Sequence, residues 1–341
     1  MLRYEIREPK GIASLQLVDV ESPRPGPGQV LLDMKAWSLN YRDLAMPRGG
    51  YPGNDKVLRA PPLVPLSDGA GEVLAVGAGV TQFGRGDRVV TSFFQSWEDG
   101  ELSAEGKTSA LGGARDGVFA ERVVLDAAGC VAAPPSLSFE EASTLPCAGV
   151  TAWAALTAAN SRAGQNVLLL GTGGVSIFGL QLARLMGMRV IITSSNNDKL
   201  ERARQLGASD TINYVEQPDW DVRARELTAG VGVDHVLEVG GAGTLERSLR
   251  ACRVSGTVSL IGVLSGSPEQ NPSPMDVMWK GLTLRGIYVG SRRQLEELCR
   301  AVEVGGVVPV IDRVFPFDAA QDAYRHLKSG THFGKVVISR S

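Results

Sequence analysis

The sequence predicts an α/β protein in which a doubly wound parallel sheet is joined to a β-rich domain. Short apolar segments broken by glycine and proline fill residues 1–125, and strand-like and helix-like segments alternate from about residue 136 onward. A glycine-rich turn also follows one buried strand and opens a helix at residues 167–187. Such alternation is typical of a parallel sheet with helices on both faces.

The N-terminal region has the texture of an irregular β domain. Its apolar or alternating runs predict four strands, at Val30–Met34, Glu72–Val76, Arg88–Thr91 and Phe119–Leu125. The stretch Phe93–Gly117 shows little periodicity, so we expect a long surface loop there.

The alternating region supplies the strands and helices of the parallel sheet. The predicted strands are Val167–Leu170, Val190–Thr193, Thr211–Tyr214, His235–Val239 and Thr257–Ile261. The predicted helices are Phe139–Ala158, Val175–Met188, Asp198–Leu206, Trp220–Thr228 and Thr244–Cys252. Leu282–Val289 is predicted to be an edge strand.

The C-terminal tail is predicted to fold back on the N-terminal β domain. It reads as helix Arg293–Val304, strand Val314–Phe317, helix Ala319–Leu327 and strand Lys335–Ile338. We therefore expect a discontinuous domain of residues 1–128 and 292–341, and a dinucleotide-binding domain of residues 129–291.

Composition excludes several classes of function. A formal net charge of −2 provides no general attraction to nucleic acid or to anionic membranes. Apolar runs are much shorter than the roughly 20 residues of a membrane span, and the N-terminus lacks the apolar stretch of a signal peptide. The four cysteines are far apart, which favours free thiols in a reducing, cytoplasmic environment.

The glycine-rich turn indicates a dinucleotide site. It comprises Gly171, Thr172, Gly173, Gly174 and Val175. In such a turn the glycines let the backbone approach a pyrophosphate, and the helix N-terminus supplies partial positive charge. A tight strand–helix connection without a ligand is the alternative.

The end of the following strand favours NADP(H) over NAD(H). NAD enzymes place an acid there for the ribose diol, whereas this sequence has Ser194, Ser195 and Asn196, followed by Lys199. Asp198 is expected in the first turn of the next helix. Ser194 to Asn197 can also cap that helix, and the two roles are compatible.

At this point the chain resembles the medium-chain dehydrogenase/reductase superfamily, and within it the zinc-independent quinone oxidoreductase-like branch. The matching segments lie in one order along almost the whole chain, at residues 25–43, 65–89, 116–125, 138–153, 167–187, 207–214 and 332–338. The resemblance implies a GroES-like catalytic domain and a Rossmann domain.

The resemblance also implies that no metal is bound. Zinc-dependent relatives carry Cys at the position of Asn40 and a His-Glu pair at Ser67-Asp68, and only Cys147 matches a ligand position. A catalytic zinc site normally needs three protein ligands. The stretch Ser96–Gly113 contains no cysteine, so the structural zinc lobe is missing too.

Candidate catalytic residues follow from the same resemblance. Asn40 is similar to the asparagine beside the nicotinamide, whose amide donates to the substrate oxygen, and Tyr41 and Asp43 flank it. Asp43 is equally well explained as a buried structural acid paired with an arginine. Ala45 stands where several members have a tyrosine, so Tyr51 is the candidate to fill that space.

Further cofactor contacts are implied by position. They are Thr151, Tyr214, Gly240, Gly262, Val263, Phe333 and Lys335. For Lys335, a solvated surface lysine is the alternative.

Together these features predict a zinc-free, NADP(H)-dependent oxidoreductase that transfers hydride to a quinone, an α,β-unsaturated carbonyl or an aldehyde. The alternatives are a relative of the zinc-type alcohol dehydrogenases and a non-catalytic NADPH-binding protein. A nucleotide-binding methyltransferase is disfavoured because it gives the N-terminal β domain no role. The edge strand at 282–289 predicts a homodimer, with no nucleic-acid or membrane partner.

Overall fold

The computed structural model describes residues 1–50, 60–262, 264 and 274–340, and it divides into two compact units. The first unit is Met1–Val150 with Gly290–Ser341, and the second is Thr151–Val289. Residues 129–150 therefore belong with the N-terminal unit, whereas the division drawn from the sequence had placed them in the nucleotide-binding domain.

The first unit is built mainly on antiparallel strands, and its two C-terminal strands pair parallel with each other. In chain order its strands are β1 (Leu2–Ile6), β2 (Leu15–Asp19), β3 (Gln29–Leu39), β4 (Asp68–Val76), β5 (Arg88–Thr91), β6 (Arg122–Asp126) and β7 (Cys130–Ala132). The tail contributes two more, Ile311–Pro316 and Lys335–Ser339, which are β14 and β15 in chain order. The sheet runs β14-β15-β3-β4-β5-β7, β6 also pairs with β3, and β1 and β2 form a separate hairpin.

β3 is the central strand of this sheet and continues beyond the predicted Val30–Met34. It pairs antiparallel with β4, β6 and β15, so seven of its eleven residues are buried and none is fully exposed. Its second half, Lys35–Leu39, lacks strict alternation because neighbours cover both faces there. The indole Nε1 of Trp37 donates to Val118 O at 2.6 Å, which satisfies the polar atom of a fully buried side chain.

Short helices pack around the sheet of the first unit. They are α1 (Ala104–Lys107), α2 (Phe139–Ala142), α9 (Arg292–Gly305) and α10 (Ala320–Ser329), numbered in chain order over the whole protein. A single helix over Phe139–Ala158 was predicted, and this is wrong. A π-helical segment at Leu145–Gly149 interrupts it, because Pro146 has no N–H for the helical hydrogen-bond ladder.

The stretch Phe93–Gly117 is a surface loop only in part, because residues 96–105 are exposed or half-buried whereas both ends of the stretch are buried. Phe93, Phe94 and Leu111 are each only 1% exposed, and the rings of the two phenylalanines meet edge to face. Two aromatic side chains bury too much apolar area to remain in solvent, although their isolated position in the sequence gives no periodicity.

The second unit is a six-stranded parallel sheet with helices between the strands. Its strands are β8 (Asn166–Leu169), β9 (Arg189–Ser194), β10 (Asp210–Asn213), β11 (Val233–Glu238), β12 (Cys252–Leu260) and β13 (Thr283–Gly286). Its helices are α3 (Val150–Ala158, which begins on the last residue of the first unit), α4 (Gly174–Leu185), α5 (Asn197–Gln205), α6 (Trp220–Leu227), α7 (Leu245–Ala251) and α8 (Pro274–Lys280).

The strand order of this sheet is β10-β9-β8-β11-β12-β13, and every pairing is parallel. This is the doubly wound order in which the chain reverses direction across the sheet at β8 and β11. The predicted α/β fold is confirmed. α8 was not predicted, because none of its seven residues is buried and its apolar side chains therefore follow no core-facing period. No helix in the described ranges combines the length and apolarity that a bilayer crossing requires.

His235 is a buried histidine in the centre of the second unit. Its Nε2 lies 2.8 Å from Ser259 Oγ and its Nδ1 lies 3.3 Å from Ser161 Oγ. Burial lowers the pKa of His235 to about 4, and the charge of Asp234 opposes that shift. The folded protein therefore holds this imidazole neutral well below the pH at which an exposed histidine takes up a proton.

We expect His235 to make the protein acid-sensitive. The His235 imidazole binds a proton near pH 6.5 in the unfolded chain but only near pH 4 in the folded chain. The contribution of His235 to the free energy of unfolding is therefore fully present above pH 6.5 and is lost as the pH falls from 6.5 to 4. The free energy of unfolding should drop by up to about 3 kcal/mol. Urea unfolding at a series of pH values measures it. His235→Asn should flatten the curve between pH 6.5 and 4, and an unchanged slope in that variant contradicts the assignment.

Candidate active site and nucleotide-binding turn

Asn40 occupies the point where β3 ends and a short 3-10 helix, Tyr41–Leu44, begins. Its backbone N–H donates to Asp43 Oδ2 at 2.7 Å, and the backbone N–H of Asp43 donates to Asn40 O at 2.9 Å. This reciprocal pair fixes the backbone on both sides of Asn40. Tyr41, the next residue, is 48% exposed, so its ring lies at the surface of the first unit.

Asp43 is fully buried, as the alternative reading of the sequence expected. Burial raises the pKa of its carboxyl to about 6, while Arg42, the Asn40 N–H and Lys335 oppose the shift. Its Oδ1 has no hydrogen-bond partner among the described residues. Arg42 acts on it as a nearby charge, and the Arg42 Nη1 itself donates to Leu111 O at 3.0 Å.

Asp68 begins β4 and is also fully buried. Its Oδ1 accepts from Ser67 Oγ at 2.6 Å, and its Oδ2 accepts from the Cys147 N–H at 3.1 Å. Burial raises the pKa of this carboxyl, while Lys335, the Asn40 amide, Ser67 and Arg42 act against the rise. Asp68 therefore joins the π-helical segment that carries Cys147 to the strand beside Ser67.

Lys335 is the cation at the centre of this group. Only 3% of the residue is exposed, so the alternative of a solvated surface lysine is wrong. Its Nζ donates to Leu39 O and to Asn40 Oδ1, each at 2.6 Å. Burial lowers the pKa of Lys335, and the charges of Asp68, Cys147 and Asp43 oppose that shift. The first unit thus buries one ammonium group against an amide oxygen and close to two carboxyl groups.

These residues do not fit a catalytic zinc ion. Asn40 and Ser67 offer only neutral oxygens, so Asp68 and Cys147 are the two ionisable side chains at these positions, fewer than the three protein ligands that a catalytic zinc ion normally has. Zinc binds cysteine as the thiolate. Within residues 1–50, 60–262, 264 and 274–340, no three His, Cys, Asp or Glu side chains are grouped to hold a metal ion.

The glycine-rich turn connects β8 to α4 in the second unit. Gly171 has φ +71°, a left-handed conformation that favours glycine, and its N–H donates to Thr193 Oγ1 at 3.2 Å. Gly173 precedes the first turn of α4 with φ −78°, and a Cβ built on it would meet no atom within 4 Å. The space above the helix N-terminus is therefore open, as a pyrophosphate would require.

The polar residues that follow β9 serve as a helix cap. Ser194 is the last residue of β9, and its Oγ accepts from the Asn196 N–H at 3.3 Å. Asn196 caps α5, because its Oδ1 accepts from the Lys199 N–H at 3.0 Å. Asp198 lies in the first turn of α5, where it was expected. No acid stands at the last residue of β9.

Glu238 is a site residue that sequence reasoning missed. This fully buried carboxylate ends β11, and its Oε1 accepts from Gly240 N at 2.7 Å, Gly241 N at 2.8 Å and Thr244 Oγ1 at 2.6 Å. Its Oε2 accepts from Ser248 Oγ. Glu238 thereby fixes the turn at the carboxyl end of the strand. The signal in the sequence was an acid with a pair of glycines beginning two residues later, and with Thr and Ser six and ten residues after it.

The remaining predicted residues lie in different surroundings. Thr151 is 3% exposed at the start of α3, Tyr214 is 41% exposed after β10, and the Phe333 N–H donates to Asp312 Oδ1 at 3.0 Å. Gly262 follows β12, and its N–H contacts Glu238 O at 3.2 Å. Two predicted residues, Tyr51 and Val263, lie outside the described part of the chain.

Comparison with known proteins identifies both units. A family model described as zinc-binding dehydrogenase matches residues 174–303, and one described as alcohol dehydrogenase GroES-like domain matches residues 26–135. The chain is 43% identical to a zinc-type alcohol dehydrogenase-like protein of Schizosaccharomyces pombe, over 99% of each chain. It is 32% identical to an alcohol dehydrogenase of Geobacillus stearothermophilus, over 95% of this chain and 96% of that one.

Solved structures agree with this assignment. A crystal structure of an NAD-dependent alcohol dehydrogenase is 35% identical, covers 100% of both chains and superposes with a TM-score of 0.91. The GroES-like and Rossmann-type domains are thus confirmed. The quinone oxidoreductase-like branch finds no specific support, because these relatives carry the names of alcohol dehydrogenases; the alternative of a zinc-type relative is better supported. Family membership implies a nicotinamide cofactor and makes alcohols and aldehydes the typical substrates. The chain belongs to the zinc-type alcohol dehydrogenase-like proteins of the medium-chain dehydrogenase/reductase superfamily.

Proposed function

We propose that this protein is an NADP(H)-dependent oxidoreductase that reduces small aldehydes, and activated carbonyl compounds such as quinones and enones, without a catalytic zinc ion. The observation that carries this proposal is the ammonium of Lys335, which bonds to Asn40 Oδ1 at 2.6 Å beside Asp68 and Cys147. Asn40, Asp68 and Cys147 stand at positions where zinc-dependent relatives carry metal ligands, so here a side-chain cation supplies the positive charge.

The reaction is a hydride transfer to a polarised carbonyl group. The carbonyl carbon gains a hydride supplied by the reduced nicotinamide, the carbonyl π pair moves to oxygen, and a proton from solvent completes the alcohol. The developing charge on oxygen needs hydrogen-bond donors in a water-poor setting. The Asn40 amide is such a donor, since its Nδ2 is buried and has no acceptor among the described residues.

Metal content and turnover test this function together. We expect the purified protein to oxidise NADPH with a panel of aldehydes, quinones and enones, to contain well under one zinc per chain, and to keep its activity after treatment with a chelator. About one zinc per chain with chelator-sensitive activity would instead assign the zinc-type mechanism. Tight NADPH binding without turnover of any panel compound would leave a non-catalytic binding protein.

The cofactor assignment is supported by two features of the second unit. Gly173 leaves open space at the N-terminus of α4, and β9 ends in Ser194 rather than in an acid that would repel a 2′-phosphate. Because one solved relative is named as NAD-dependent, the two cofactors must be compared directly. We propose that Ser194, Ser195, Asn196 and Lys199 lie around the 2′-phosphate.

We predict that Gly173→Val folds normally and binds NADPH at least about tenfold more weakly than the wild type. Valine is compatible with φ −78°, but its side chain fills the space proposed for the pyrophosphate. Gly84→Val is the matched control, because a Cβ there also meets nothing within 4 Å. Fluorescence titration with NADPH and NADH measures both variants. Equal NADPH affinity in Gly173→Val and wild type argues against this turn, and tighter binding of NADH than of NADPH argues against the cofactor choice.

A homodimer is proposed from the edge of the parallel sheet. All four residues of β13 are exposed, and Leu284 is 42% exposed among them. The neighbouring helix α8 adds Met278 at 60% and Trp279 at 74% exposure. An exposed strand edge with apolar neighbours favours pairing with an identical edge across a two-fold axis.

We predict that Leu284→Pro converts a dimer into a monomer. Proline removes a strand N–H and a large exposed side chain at the proposed contact. Sedimentation equilibrium at micromolar concentration should give twice the chain mass for the wild type and the single mass for the variant. The control is Val304→Glu in α9, which changes a residue that is 89% exposed and avoids placing a proline in a helix. This variant should stay dimeric. A monomeric wild type excludes the proposed dimer.

A further inference from the structure

The orientation of the Asn40 amide is fixed by chemistry. An ammonium group carries only hydrogen-bond donors, so the amide must present its oxygen to Lys335 and turn its nitrogen away. The contact is 2.6 Å between Nζ and Oδ1, and Nζ is held a second time by Leu39 O at 2.6 Å. Asn40 is 8% exposed, and within the described chain its Nδ2 has no acceptor.

Two buried carboxyl groups lie near this nitrogen. The Asn40 side chain acts on Asp68 as a hydrogen-bonding group that helps lower the pKa of its carboxyl, but no Asp68 oxygen lies in hydrogen-bond geometry with Asn40 Nδ2, and the two oxygens accept from Ser67 Oγ and the Cys147 N–H. Asp43 Oδ2 accepts from the backbone N–H of Asn40 instead. A buried donor left without an acceptor costs about 1–3 kcal/mol. The first unit tolerates this cost at the Asn40 amide nitrogen, beside a buried cation.

The sheet register brings the two residues together. Leu39, the last residue of β3, pairs with Val336 of β15. Lys335 is the residue before Val336, so it lies beside the C-terminal end of β3. In β14, Ile311 pairs with Lys335 and holds its backbone from the other side. Lys335 is therefore delivered to Asn40 by the strand pairing of a sheet, which is more rigid than a loop.

We propose that Lys335 is a positioning residue that locks the Asn40 amide so that its Nδ2 donates to the substrate oxygen that receives negative charge during hydride transfer. This inference rests on the proposed function. The ammonium also polarises the amide along the chain of hydrogen bonds, which strengthens the N–H as a donor. The ligand recognised at Nδ2 is a carbonyl oxygen that becomes an alkoxide or enolate.

Two variants separate orientation from mere presence of the side chains. Asn40→Asp retains an acceptor for the Lys335 ammonium but has no N–H, so kcat should fall by roughly 100- to 1000-fold while NADPH affinity stays unchanged. Lys335→Met leaves the Asn40 amide free to rotate, and kcat should fall by about tenfold or more. The control is Lys280→Met in the second unit, which removes an ammonium that donates to Leu249, Arg250 and Cys252 carbonyls. That control should lose stability and keep kcat.

Binding of an unreactive analogue gives a readout other than turnover. The primary carboxamide with the carbon skeleton of the fastest aldehyde presents a carbonyl oxygen but accepts no hydride, and its binding to the NADPH complex is followed by cofactor fluorescence. Wild type and Lys280→Met should bind it equally, Lys335→Met more weakly and Asn40→Asp scarcely at all. Thermal unfolding shows whether each variant is folded. If Lys335→Met does not fold, Asn40→Asp still tests the role of Asn40 Nδ2.

The outcomes distinguish the two proposals. If the wild type reduces no carbonyl compound, the proposed function fails. If the wild type is active and folded Asn40→Asp matches it in kcat and in carboxamide binding, the function stands and the role of Nδ2 is overturned. If Asn40→Asp is impaired but folded Lys335→Met matches the wild type, Asn40 stands as the donor and the positioning role of Lys335 is overturned.

Discussion

The candidate site depends on one hydrogen-bonded contact, between the buried ammonium of Lys335 and the carbonyl oxygens of Leu39 and Asn40. An ammonium without acceptors would be too costly to bury, so the end of β3 and the start of β15 must stay in register. A slip of one residue would turn the Lys335 side chain to the opposite face of the sheet. Strand pairing and the chemistry around Asn40 are consequently set by the same interaction.

The fold followed from periodicity more completely than the site did. Buried strands such as β8 and β9 are short apolar runs next to amphipathic helices, so local patterning defined them within one or two residues. The contact of Lys335 with Asn40 joins residues 295 positions apart, and no local pattern encodes it. Glu238 was missed for a related reason. Its four donors become visible only once the turn after β11 is closed.

Family membership and site chemistry give different information here. Overall similarity groups the chain with zinc-type alcohol dehydrogenase-like proteins, because core positions and glycine turns dominate identity over the whole length. Asn40, Ser67 and Cys147 are a few positions among 341, so they barely affect that score, yet they decide whether a metal can be held. A fold supports many chemistries, and function has to be argued from the residues of the site.

The segment Phe93–Gly117 is ordered by side-chain packing, by ion pairs and by backbone hydrogen bonds such as that from Leu111 N to Phe93 O at 3.0 Å. The Arg42 guanidinium stands 4.5 Å from the centre of the Phe93 ring, Phe94 packs edge to face against Trp97, and Glu98 pairs with Arg292 at 2.7 Å. Where a comparable lobe is closed by a metal, folding must wait for the ion to be delivered. Residues 93–117 contain no cysteine, so the contacts that order this segment include no thiolate–metal bond.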